Sequence, residues 1–120
     1  MQQVSLSVGD TLVVFLEGNA TTGYTWTAPT VPKCLIDKGQ TSTPRSALIG
    51  APSAIQWRFQ ATKVCDPSPL ILRYGRSWDP ATWVYHMIVV NVKNNKTMPK
   101  QVRIQGPSGT QMVNEFTTMQ

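Results

Sequence analysis

The chain predicts an all-β fold, an immunoglobulin-like antiparallel β-sandwich of about seven to eight strands, on three observations. Ile55-Gln56-Trp57-Arg58-Phe59-Gln60-Ala61-Thr62 alternates apolar and polar without a fault, the period of a half-buried strand. Turn-forming residues recur between apolar runs: Gly9-Asp10, Pro29 and Pro32, Gly50 with Pro52, Asp66-Pro67-Ser68-Pro69, and Asp79-Pro80. No segment of useful length carries the helical period.

The elements follow in order. Gln3 to Val8 alternates, with Val4, Leu6 and Val8 on one face. Thr11 to Glu17 is dense in Val, Leu and Phe and reads as a strand buried on both faces. Tyr24 to Ala28 is a short strand, and Leu35-Ile36 is long enough only for a fragment of one. Leu70 to Gly75 and Thr82 to Lys93 complete the set; the last is long and rich in β-branched residues, which suit a pleated surface. Gln101-Val102-Arg103-Ile104 supports two readings, an extra edge strand or part of a loose tail.

The 120 residues suit one domain, expected over 1–93, with a basic extension over 94–120. The apolar fraction of 41% is enough for a core. No apolar run approaches the roughly 18 residues of a membrane span, so no membrane partner is expected. The N-terminus has neither a basic region nor an apolar stretch of the signal-peptide kind, which favours an intracellular site, cytosolic or lysosome-like. The net charge of +5 is concentrated late, in Lys93, Lys96, Lys100 and Arg103. Residues 93–103 hold no aromatic side chain on which a base could stack, so a solvated basic tail is expected rather than a nucleic-acid site.

Asn19-Ala20-Thr21-Thr22-Gly23-Tyr24-Thr25-Trp26 holds no catalytic group. Threonine branches at Cβ and is stiff at χ1, whereas glycine reaches positive φ without a clash. Thr21-Thr22-Gly23 therefore reads as a sharp, ordered turn, and an ordered loop loses less entropy when it docks on a partner. Chain reversal adds a geometric argument. If consecutive strands alternate in direction, the loop at 18–23, the loop within 38–54 and the loop at 76–81 fall at one end of the sandwich. That end would present the first turn, a turn around Gly50, and Arg76-Ser77-Trp78, whose Arg and Trp are the residue types that dominate binding hot spots.

These residues resemble a known family. The first segment is similar to the Asn-Pro-Thr-Thr-Gly-Tyr/Phe-x-Trp loop of chagasin-type inhibitors of cysteine peptidases. Ile49-Gly50-Ala51-Pro52-Ser53 stands where that family has Gly-x-Gly-Gly, and Arg76-Ser77-Trp78 resembles its Arg-Pro-Trp/Phe loop. Order and spacing agree over roughly 3–93. Ala20 and Ser77 replace prolines, and Ala51-Pro52-Ser53 lacks the two later glycines. The resemblance implies an immunoglobulin-like sandwich that is not an enzyme, needs no cofactor, is monomeric when free, and binds papain-like cysteine peptidases reversibly and tightly. It implies a peptidase-binding set of Asn19, Thr21, Thr22, Gly23, Tyr24, Leu48, Ile49, Gly50, Ala51, Arg76 and Trp78. Thr21 and Thr22 would sit near the peptidase's nucleophilic cysteine, Leu48 or Ile49 would enter an apolar pocket, and Trp78 and Arg76 would grip the primed side. Tyr24 and Trp26 are expected to hold the base of the loop. An adhesion or carbohydrate-binding module on the same scaffold is the alternative, since fold alone does not fix function.

Two further groups of residues carry expectations. Cys34, Cys65 and His86 do not read as a cysteine enzyme: His86 falls in the middle of the long last strand, parity places both cysteines at the end opposite the three turns, and nothing arranges a base within reach of a thiol. The same parity brings the cysteines near each other and makes a disulfide possible. Two cysteines and one histidine do not make a metal site. Asn19-Ala20-Thr21 and Asn95-Lys96-Thr97 are glycosylation sequons. A glycan on Asn19 would block the first loop, so Asn19 is expected to be unmodified.

Overall fold

Eight strands form two four-stranded sheets, and the computed structural model describes residues 2–19, 22–44 and 52–109. In chain order the strands are β1 (Gln2–Ser7), β2 (Thr11–Gly18), β3 (Tyr24–Thr30), β4 (Leu35–Pro44), β5 (Ser53–Ala61), β6 (Cys65–Arg76), β7 (Val84–Lys93) and β8 (Gln101–Ser108). One sheet runs β1-β7-β6-β3 and the other β4-β5-β2-β8. The interior pairings are antiparallel, as the turn spacing implies, but the edge pairs β1–β7 and β2–β8 are parallel. Both parallel partners lie far apart in sequence, so no tight turn joins them and no hairpin constrains their direction.

The alternating positions meet in the middle. Leu12, Val14, Leu16, Trp57 and Phe59 from one sheet pack with Leu6, Trp26, Leu70, Leu72, Tyr74, Ile88, Val90 and Val92 from the other. The expectation of two buried faces for β2 holds over Leu12, Val13 and Val14, whereas Phe15 and Glu17 are only half-buried.

β3 runs on through Pro29 to Thr30 and β8 reaches Ser108, both beyond the sequence reading, and three further elements differ for a physical reason. β4 extends ten residues where only Leu35-Ile36 was expected, and after Leu35 all of it is exposed. With water on both faces it needs no alternation, and its pairing with β5 from Leu35↔Ala61 to Pro44↔Ser53 holds it. β6 begins at Cys65 and includes the prolines read as a turn. β3 pairs with β6 only as far as Ile71, so Pro67 and Pro69 lie where no ladder bond to β3 is required. β7 starts at Val84, because a 3-10 turn over Pro80–Thr82 takes up Thr82.

The end holding the β1–β2 and β3–β4 turns is fastened twice. Cys34 and Cys65 form a disulfide with Cα atoms 5.9 Å apart, and both thiols are consumed in it. Closing a loop of sequence separation 31 contributes about 3–4 kcal/mol by the chain-entropy account. Asp10 is fully buried and gathers three donors. Ser7 N–H donates to Oδ2 at 2.9 Å, Lys100 N–H to Oδ1 at 3.1 Å and Lys100 Nζ to Oδ2 at 3.0 Å. Lys100 leads directly into β8, so this carboxylate sets where the last strand joins the sheet. Burial alone would raise the Asp10 pKa, but the Ser7 and Lys100 hydrogen bonds and the Lys100 charge outweigh it and hold the carboxyl below its ordinary 3.8.

A lowered carboxylate pKa stabilises the fold above the unfolded-state value and loses that contribution as pH falls through the folded value. Denaturant titrations of the native protein should therefore show stability declining below about pH 4. Asp10→Ala should lose about 3 kcal/mol at pH 7, since it strands buried N–H donors, and should show a shallower acid decline. An unchanged midpoint in Asp10→Ala would contradict the role given to this carboxylate.

Candidate functional site

The other end of the sandwich holds the first and third turns of the sequence reading in direct contact. β3 and β6 pair there through Tyr24↔Arg76 and Thr25↔Gly75, so the residues just before Tyr24 and just after Arg76 emerge side by side. The second loop leaves from the same end. Its flanks pair as Pro44↔Ser53, and Ser53 pairs with Gly18 at the start of the first loop. Thr21 and the second-loop residues Leu48, Ile49, Gly50 and Ala51 lie outside the described residues.

The first loop is held by its own backbone. The Asn19 carbonyl accepts the Thr22 hydroxyl at 2.8 Å and the Thr22 N–H at 3.3 Å. Gly23 has φ of +82°, a left-handed conformation that a Cβ would strain. A Cβ on Gly23 would also come within 2.6 Å of the Trp78 ring, so glycine is required for contact as well as for conformation. Arg76 Nε donates to the Thr22 carbonyl at 2.9 Å, and its guanidinium lies 4.9 Å over the Tyr24 ring. Arg76 thus reaches back and ties the third loop to the first. Thr22 itself is exposed.

The third loop is braced across its base. Arg76 N–H donates to Thr82 Oγ1, the Thr82 hydroxyl donates to the Asp79 carbonyl, and Trp83 Nε1–H donates to the Arg76 carbonyl at 2.7 Å. Trp83 is covered by Arg73, whose guanidinium carbon stands 3.8 Å from the ring centre. Trp78 is the contrast, with 70% of its surface exposed at the tip of a loop whose base is fully engaged. A large aromatic presented to water on a braced loop has the form of a binding anchor.

Beneath the rim lies a residue that the sequence reading did not single out. Tyr74 is 2% exposed; it stacks on Tyr24 at 5.2 Å between ring centres and packs at a tilt against Trp26 at 5.0 Å. Its hydroxyl accepts the Asn19 N–H at 2.9 Å. The signal was present: Leu70, Leu72 and Tyr74 share an inward face, and a buried tyrosine hydroxyl seeks a partner. Trp26 is buried and Tyr24 half-buried, as expected for residues at the loop's base, and Trp26 Nε1–H donates to the Glu17 carbonyl at 3.3 Å.

Chemistry of other kinds finds little support in this arrangement. His86 lies on β7 with Nε2 2.6 Å from Gln2 Oε1, and burial holds its pKa below 6.5. Among the described residues no group of His, Cys, Asp and Glu gathers to hold a metal ion.

Comparison with known proteins decides the family. The profile described as "Chagasin family peptidase inhibitor I42" matches residues 5–92. The chain belongs to the chagasin family. The fold agrees with solved structures. The cysteine protease inhibitor EhICP2 from Entamoeba histolytica is 21% identical with a TM-score of 0.66, over 77% of this chain and 86% of that one. The structure of amebosin is 22% identical with a TM-score of 0.62, over 76% and 88%. A sequence search of curated proteins finds no match. The matched residues run from within β1 to within β7 and stop short of β8.

Gly23→Ala should lower stability by about 1–2 kcal/mol through positive φ alone and should displace Trp78. Thermal unfolding together with acrylamide quenching of the exposed tryptophan checks both. Unchanged quenching would mean that Gly23 and Trp78 are not in contact.

Proposed function

We propose that the protein is a reversible, tight-binding inhibitor of papain-like cysteine peptidases that blocks the active-site cleft with three loops at one end of the sandwich. The observation that carries this reading is the Gly23–Trp78 contact with the Arg76–Thr22 hydrogen bond, which joins two family loop motifs into one rigid edge. Asn19, Thr21, Thr22, Gly23 and Tyr24 form the wedge and its base. Arg76 and Trp78 form the primed-side grip, and Leu48, Ile49, Gly50 and Ala51 form the non-primed contact.

Cleavage needs a carbonyl placed between the nucleophile and the oxyanion donors. The Thr22 carbonyl is already engaged by Arg76 Nε–H, which holds it away from that geometry on this reading. A turn held by its own hydrogen bonds also resists the extension that a substrate undergoes in the cleft. Each partner would bury on the order of 800 Å², with the energy concentrated in Thr22, Gly23 and Trp78. The free protein is monomeric on this reading.

Titration into papain with a fluorogenic substrate tests the proposal, and loss of activity near one equivalent is expected. Absence of inhibition at large excess would refute it. Thr22→Asp places a charge at the tip of the wedge and should weaken inhibition at least about tenfold, or 1.4 kcal/mol. Trp78→Ala should cost about 2 kcal/mol, read mainly as faster dissociation.

A further inference from the structure

We infer that the end of β8, which lies beyond the residues matched by the family profile, sets the pose of the first loop, with Gly109 as a positioning residue acting through Tyr74; the functional half of this inference rests on the inhibitory reading above. β8 pairs parallel to β2, so it runs toward the rim and brings Ser108 beside Glu17. There the Ser108 hydroxyl donates to Glu17 Oε1 at 3.1 Å, next to the chain that enters the first loop.

Gly109 follows immediately and is buried. A Cβ there would stand 2.7 Å from Tyr74 Cε1 and Cζ and 2.8 Å from Cδ1, which places it over the face of the ring. The ring cannot retreat freely. Tyr24 stacks on it, Trp26 leans against it at a tilt, and the backbone at Gly18 approaches so closely that a Cβ there would lie 3.1 Å from Cε1. A glycine at 109 therefore leaves the ring in the one position from which its hydroxyl reaches the Asn19 N–H at 2.9 Å. The Asn19 carbonyl in turn takes the Thr22 hydroxyl at 2.8 Å. The contacts form an unbroken line from Gly109 through the Tyr74 ring and hydroxyl to Asn19 and Thr22. A ring displaced by several tenths of an ångström stretches the Tyr74–Asn19 bond beyond good geometry and releases the loop's first anchor.

The experiment uses the full chain with Gly109→Ala, Tyr74→Phe and the double variant. Amide hydrogen exchange reads the anchor, and inhibition constants against papain read its consequence. In both single variants the Asn19 amide should exchange about tenfold faster, the scale of one lost hydrogen bond, while Phe59 and Val90 amides in mid-strand stay as in the wild type. Inhibition should weaken about tenfold in each, and the double variant should be no weaker than Tyr74→Phe, since both changes break one link. Tyr74→Phe keeps the ring and its stacking, so it reads the link even where Gly109→Ala fails to fold. Unchanged Asn19 exchange in Tyr74→Phe, or effects on inhibition that multiply in the double variant, would overturn the inference. A wild-type protein that leaves papain active overturns the inhibitory reading instead, and the exchange rates still decide whether the brace exists.

Discussion

Tyr74 is the side chain on which the geometry of the rim depends. Its ring touches β3 through Tyr24 and Trp26, lies against the β2 backbone at Gly18 and the end of β8 at Gly109, and its hydroxyl holds the start of the first loop. A buried aromatic gives stiffness because it has few rotamers and much contact area, and a buried hydroxyl must be paired. One residue thus touches both sheets at the rim and holds the start of the loop by a hydrogen bond. The Tyr24↔Arg76 pairing then delivers the third loop to the first.

The two ends of the sandwich divide the work. The disulfide end joins the sheets through Cys34–Cys65 and fixes β8 through the buried Asp10. The rim end carries the Asn19–Thr22 and Arg76–Thr82 hydrogen bonds, which leave Thr22 and Trp78 presented to solvent on a braced support. Gln2 closes the side between them, since its amide reaches the Gln105 carbonyl on β8 while its oxygen meets His86 on β7. Rigidity at the rim reduces the ordering entropy that docking must overcome, which is how a short polar loop can act as a wedge.

Much of this was legible in the sequence where one face is dry and the other wet. β1, β5 and β7 show the two-residue period because their inner residues meet the opposite sheet, and β2 shows a denser apolar run because Val13 is buried as well. β4 was nearly silent, because a strand exposed on both faces carries no pattern and is specified by its partner's register. The prolines of β6 suggested a turn, and only the early end of β3 shows why they are tolerated in a strand. In the candidate site, Thr22-Gly23 and Arg76-Ser77-Trp78 announced themselves by composition and spacing, and chain reversal placed their loops at one end. Tyr74 showed only its inward face and not its partner, and Ser108, Gly109 and the pair Asp10 with Lys100 showed nothing. Their roles exist only through contacts between residues as far as 91 positions apart, which no local window contains.

The central claim is that the rim formed by the first and third loops is the surface that enters a peptidase cleft. A crystal structure of the complex with papain tests it most directly. The account predicts Thr22 and Gly23 seated uncleaved beside the catalytic cysteine, with Trp78 against the primed-side wall and the Arg76–Thr22 hydrogen bond retained. Papain bound to a sheet face, to the disulfide end, or with the first loop cut and extended would contradict it.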